Sequence, residues 1–278
     1  MRGVGKVFMT AATLLLTWSA AGTDLTAVLP SYTALTGRID AAALRSDPGL
    51  RALIPAVMPE TVCGIAREDV SQIVFASDAK VRRVTVALEA ASDEAWQRIR
   101  DRLEPYLTAE PGASEQVYRI RNAGKDLNGG FFSVPAARVG VFTMPDSANS
   151  DRPDGSGAPA QTRRMLPADA PLAAGGVPRI KGEPFRSIKS FQAELRSSGG
   201  GPMLVGEADF AQPMHAAFGQ VALLTAFSMW LQEYAGLTPE GAADIVSRIK
   251  VRQQGTKLRF EFSDFDRLAR YIREAERV

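Results

Sequence analysis

The sequence is short of the residues that most protein chemistry needs. A single cysteine among 278 residues excludes an intramolecular disulfide, so packing alone must hold the fold. A single histidine removes most of the usual general-base and zinc-ligand repertoire. Charge of neither sign prevails: 33 Lys and Arg face 31 Asp and Glu, and the net +2 is too small to imply a polyanionic partner. There is no Gly-x-Ser-x-Gly elbow, no phosphate-binding Gly-x-x-x-x-Gly-Lys loop and no Cys pair. Gly199-Gly200-Gly201 lacks the Lys-Ser/Thr that phosphate binding requires and reads as a joint. These absences exclude the common nucleophilic, metal and nucleotide sites, so no catalytic, cofactor or metal residue is assigned.

What is present is a globular composition, 45% hydrophobic and 23% charged, in a chain long enough for two domains of ordinary size. Arg2 and Lys6 precede an apolar run from Val7 to Trp18 and the small residues Ser19-Ala20-Ala21. That order reads as an export signal over residues 1–22, cleaved near Ala21 or Gly22, and predicts a periplasmic or extracellular protein.

Two stretches repeat one pattern. Leu35-Thr36-Gly37-Arg38-Ile39-Asp40 and Leu204-Val205-Gly206-Glu207-Ala208-Asp209 are both Leu-x-Gly-x-x-Asp. Ser92-Asp93 follows Asp40 at nearly the distance at which Ser263-Asp264 follows Asp209, each after an alternating strand. The spacing predicts an internal duplication. The element order of the first copy, β-α-β-β-α-β, is that of the split βαβ or ferredoxin-like plan. The expectation is therefore an α+β protein of two tandem ferredoxin-like repeats with antiparallel sheets. The first spans 23–144 with an extra C-terminal hairpin, and the second spans 185–278. Residues 145–184, crowded with Pro, Gly, Ser, Ala and Asp, read as a flexible linker or long loop. Phe185, Ile188, Phe191 and Leu195 have helical spacing and predict a short amphipathic helix.

The candidate chemistry is thin. Asp40 and Asp209 could form a carboxylate pair if the repeats were related by pseudo-symmetry, but a helix-capping role is the simpler expectation. His215 lies in an apolar helix with no partner motif, and Cys63 lacks the His that would activate its thiol. Phe210–Gln232 contains no Asp, Glu, Lys or Arg. Its place as the first helix of a repeat favours burial in the core, with a partner-facing helix or a membrane segment as alternatives. Arg248, Lys250, Arg252, Lys257 and Arg259 alternate with apolar residues in a hairpin and predict a cationic open sheet face, a possible anion-binding surface. Nucleic acid is disfavoured, because Phe260 and Phe262 share the core register and leave no aromatics to stack on bases. The expected function is an exported, non-enzymatic binding or scaffold module that meets an envelope protein or an anionic surface. The alternative is a carboxylate-dependent hydrolase with its site between the repeats.

Overall fold

A computed structural model describes residues 24–278 apart from 52–53, 55–57, 59, 81–82, 111–115, 123–127, 145–165, 168–169, 180–184, 199–200, 234 and 276–278. The expected signal segment and most of the expected linker lie outside the described residues. The protein is a mixed α+β fold built on one large antiparallel sheet with few helices.

The chain first lays a strap, the 3-10 turn Leu25–Val28, capped by the Asp24 side chain, which accepts from the Thr26 amide. Strand β1 (Leu35–Asp40) follows and is buried along its whole length. The Asp40 carboxylate then caps α1 (Ala41–Ser46), accepting from the amides of Ala42 and Ala43. Pro48 opens α2 (Pro48–Arg51), as its ring demands a new start there. A small hairpin, β2 (Thr61–Val62) and β3 (Ile65–Ala66), leads to β4 (Val70–Ser77) and β5 (Val84–Ala90). Ser92 caps α3 (Asp93–Leu103) by accepting from the Ala95 amide. Four strands come next: β6 (Leu107–Ala109), β7 (Val117–Ile120), β8 (Phe131–Ala136) and β9 (Val139–Thr143).

Beyond the undescribed 145–165, β10 (Leu172–Gly176), β11 (Ile188–Ser198) and β12 (Gly201–Phe210) form a meander. The long helix α4 (Pro213–Glu233), then α5 (Pro239–Val246), the hairpin β13 (Lys250–Gln254) and β14 (Lys257–Phe262), and α6 (Phe265–Ala275) complete the chain. Twelve strands run in the order β13-β14-β12-β11-β10-β1-β4-β5-β9-β8-β7-β6.

Two expectations change here. The two-repeat plan predicts two sheets, each with its first strand beside the same member of the following hairpin. Instead a single twelve-stranded sheet carries both halves, and β1 pairs with the first hairpin strand β4 whereas β12 pairs with the second, β14. The split βαβ plan also needs a parallel neighbour for its first strand, and both of these pairs are antiparallel. The halves are welded by β10 and β11, which lie in segments expected as linker and helix. In β11 the alternation Phe191, Ala193, Leu195 sets the burial, and both Ala193 and Leu195 are buried; the helical spacing of Ile188, Phe191 and Leu195 was a coincidence of a short apolar run.

The register divides the sheet into two faces. One carries Ile39, Ile73, Val86, Leu88, Phe142, Phe132, Leu195, Leu204 and Phe262 and packs under the helices as the main core. Gly206 makes room for the Phe260 ring there, since a Cβ would sit 2.3 Å from it. Among the described residues the other face is covered in its middle, where Leu25, Leu29, Leu166 and Ala170 close a second core on Val74, Ala76, Ala87, Val139, Val141 and Ala173. Toward β13 that second face is open among the described residues, with Lys250, Arg252, Lys257 and Arg259 exposed.

Candidate interaction surface

Helix α4 follows from a run in which nothing breaks a helix after Pro213 and nothing is charged before Glu233. Its inner side packs on β12, β13 and β14. Gly219 lets the helix approach Phe210 so closely that a Cβ would lie 2.4 Å from the ring. Ala216 joins Phe210 and Leu258 in a small core, and Phe227 stacks on Trp230 at 5.6 Å and meets Phe262 at 6.3 Å. Gln253 ties the start of the helix to the hairpin, donating to the Pro213 carbonyl at 2.8 Å.

The outer side is the unusual one. Met214, Ala217, Phe218, Val221, Thr225 and Met229 are exposed and recur every three or four residues, which places them in one stripe. Met214 is 60% exposed, Phe218 58%, Val221 65% and Met229 45%. Among the described residues they are four of the five large hydrophobic side chains that are exposed; Tyr106 is the fifth. Scattered apolar residues on a surface are ordinary, whereas a contiguous uncharged stripe is not. The expectation of a core helix is therefore only half met. The helix is long and apolar enough to cross a membrane by length and composition, yet only 28% of its most apolar window is buried. The pattern that gave this away is apolarity on every side of the helix, with no polar face to turn outward.

The alternative of a carboxylate pair does not form, and the expected capping role holds for Asp40 alone. Asp40 ends β1 and caps α1, while Asp209 lies on β12, three strand steps away and near the opposite end of the sheet. By strand spacing and rise the two are on the order of 20 Å apart. Asp209 caps no helix: β12 runs through it, and it accepts from the Thr256 hydroxyl at 2.8 Å. Asp40 is buried and its carboxyl is raised to about 6, chiefly by burial and against the pull of the Ala43 and Ala42 amides.

The expected cationic face brings together four of its five residues, with acids among them. Lys250, Arg252, Lys257 and Arg259 do project on the open face, opposite the side that carries Val251 and Leu258. Arg248 does not join them, because it precedes β13 and pairs with Asp244 and Asp264. Glu207 receives both Lys257 at 2.5 Å and Arg259 at 2.6 Å, and these hydrogen bonds hold its carboxyl below the usual range, Lys257 contributing most. Glu261 stands across from Lys250, and Asp209 across from Lys257. Arg252 stands directly across from Arg259, so the face carries cations with Glu207, Asp209 and Glu261 interspersed among them.

Cys63 occupies the turn between β2 and β3 at φ 52°, and burial pushes its thiol up to about 12. It is inert rather than nucleophilic at neutral pH. His215 is half-buried on the flank of α4. Among the described residues no group of three or more His, Cys, Asp or Glu side chains is placed to hold a metal ion.

No family model matches the sequence, and no curated protein matches it. Similar solved structures are crystal forms of TP0453. Form III superposes with a TM-score of 0.46 at 10% identity, over 92% of this chain and 100% of that one. Form I gives a TM-score of 0.41 at 11% identity, over 92% and 99%.

Proposed function

We propose that this chain is an exported, non-enzymatic docking module that lays the outer stripe of α4 into a lipid surface. The observation that carries the reading is the concentration of exposed large apolar side chains, Met214, Phe218, Val221 and Met229, on one helix that is uncharged up to its last residue. A helix suits hydrocarbon because its backbone groups are satisfied internally, and α4 brings no charge into the stripe, its one acid, Glu233, being its last residue. Thr225 is the one polar side chain in the stripe, and a threonine hydroxyl can turn back to a carbonyl one turn earlier.

The size of the stripe favours lipid over a second protein. Four half-exposed side chains offer roughly 400 Å², about half of the ~800 Å² per partner that a stable protein complex buries. A protein partner would also meet almost no hydrogen-bonding group along the stripe. At about 25 cal/mol per Å², withdrawing that area from water is worth at most roughly 10 kcal/mol before the costs of ordering are subtracted. That is the range of weak, reversible membrane attachment, comparable to a single fatty-acyl chain. The rest of the sheet serves as a rigid platform holding the helix with its stripe outward. Export to the cell envelope, the reading of residues 1–22, would bring that stripe to a bilayer surface.

Flotation of the full chain with neutral phosphatidylcholine vesicles tests this. The unaltered chain should float with the vesicles and do so equally at low and high salt. A Phe218→Asp/Val221→Asp variant should stay behind while keeping its far-ultraviolet circular dichroism. Failure of the unaltered chain to float, or equal flotation of the folded variant, would end the reading.

A further inference from the structure

The outer stripe of α4 is sparse as well as apolar. Between Met214 and Met229 the exposed residues are Ala217, Phe218, Val221 and Thr225, so the large side chains stand apart with small ones in the gaps. At 1.5 Å per residue the row spans about 22 Å of helix, with roughly one large side chain to a turn. The opposite side of the helix is fixed to the body of the protein. Ala216 packs with Phe210 and Leu258, Gly219 lies against the Phe210 ring, and Trp230 and Leu231 are buried in the main core. Only the side chains of the stripe are therefore free to pass a headgroup layer. Nothing in the stripe attracts a charged headgroup. Gln220, Ser228 and Gln232, polar residues of the same helix, are uncharged, and Glu233 at its end is an acid. Lys250, Arg252, Lys257 and Arg259 of the hairpin beneath project on the opposite sheet face.

Resting on the lipid reading of α4, we propose that the stripe selects bilayers by headgroup packing: it enters strongly convex or otherwise loosely packed surfaces and is indifferent to their charge. Interfacial helices commonly add attraction between Lys or Arg and anionic lipids to the burial of their apolar side. The stripe of α4 has only the burial. Each of its side chains must reach hydrocarbon between headgroups, and in a flat, tightly packed leaflet those headgroups have to be pushed apart. That cost falls directly on the gain from burial, with no Coulomb attraction to offset it. A strongly convex leaflet, or one holding lipids with small headgroups, already exposes hydrocarbon in small separate gaps. Single bulky residues such as Phe218 and Met229, set apart by Ala217 and Thr225, match gaps of that kind. Because α4 is already a helix held against β12 and β14, entry needs no folding step. Discrimination therefore comes from the state of the membrane rather than from ordering of the protein.

Flotation of the full chain at equal accessible lipid, on phosphatidylcholine vesicles of about 30 nm and about 200 nm, tests the proposal. Partition onto the small vesicles should be about ten-fold stronger, with far-ultraviolet circular dichroism unchanged on binding. Diacylglycerol, a neutral lipid without a bulky headgroup, should raise binding to the large vesicles toward that of the small ones. Replacing part of the phosphatidylcholine by phosphatidylserine should change binding by less than the about five-fold that one engaged Lys or Arg supplies. Phe218→Ala/Val221→Ala should lose most of its binding to small vesicles while staying folded. Equal partition onto the two sizes would overturn the proposal and leave lipid attachment standing. Large vesicles that gain nothing from diacylglycerol, or a five-fold gain from phosphatidylserine, would overturn it in the same way. Binding to neither size, or undiminished binding by the folded variant, would overturn the lipid reading of the stripe and this proposal with it.

Discussion

Replacing Asp40 with asparagine should stabilise the protein at neutral pH, although it removes a helix-capping charge. The carboxyl is raised from 3.8 to about 6 by burial. A raised carboxyl binds its proton more tightly in the folded state, so its contribution favours folding fully below 3.8. It is lost as pH climbs to 6 and stays lost above. The difference of about two pH units corresponds to roughly 3 kcal/mol of stability forfeited at pH 7.5. Asparagine keeps an oxygen for the Ala42 and Ala43 amides and is as good a cap as aspartate. Its amide group, placed where Oδ2 has no partner, costs about 1 kcal/mol or more in return. The net expectation is a gain of about 1–2 kcal/mol at pH 7.5 and none near pH 4. Urea unfolding followed by circular dichroism at both pH values measures it. Asp40→Ala supplies the control, since it removes the cap as well and should forgo about 1 kcal/mol of the gain. A loss of stability in Asp40→Asn at pH 7.5, or a gain of equal size at both pH values, would refute the assignment of burial as the cause.

Other expectations follow from packing and exposure. Gly206→Val would drive a side chain into the Phe260 ring and toward the Gln192 carbonyl, and should cost about 1–3 kcal/mol or more in urea unfolding. Cys63 should resist a thiol reagent at pH 8 in the native protein and react fully in denaturant, because burial keeps the thiolate from forming. Glu207→Gln breaks both partnerships with Lys257 and Arg259, yet these pairs are on a solvent-facing sheet, so the change in unfolding free energy should stay below about 1 kcal/mol.

The local elements were legible in the sequence wherever a short-range rule decided them. Asp40 and Ser92 announce helix starts because a cap acts over three residues, and Gly255 at φ 58° marks the turn between β13 and β14. The alternation of Leu258, Phe260 and Phe262 predicts a strand with its apolar side on the helices, as found. Pairing was not legible, since β4 and β14 are equally good neighbours for a first strand and nothing local chooses between the two hairpin strands. β10 escaped notice because Leu-Ala-Ala-Gly-Gly has neither β-branched residues nor alternation; it is a strand because β1 and β11 flank it. The burial of Arg38, Gln72 and Glu89 was not legible either, as each sits at a position that would be solvent-facing in a sheet with one bare side. For α4 the lack of charge was visible but its direction was not. Burial of an all-apolar helix is the ordinary outcome, and only the sheet beneath it shows that one side has nothing to pack on.

The central claim is that the outer stripe of α4 enters lipid while the opposite sheet face does not. An environment-sensitive fluorophore at Val221→Cys, compared with the same fluorophore at Arg252→Cys, both in a Cys63→Ala background, reads this directly on adding neutral vesicles. The account predicts a blue shift and brightening at position 221 and no change at position 252. No change at 221, or the same change at both positions, would contradict it.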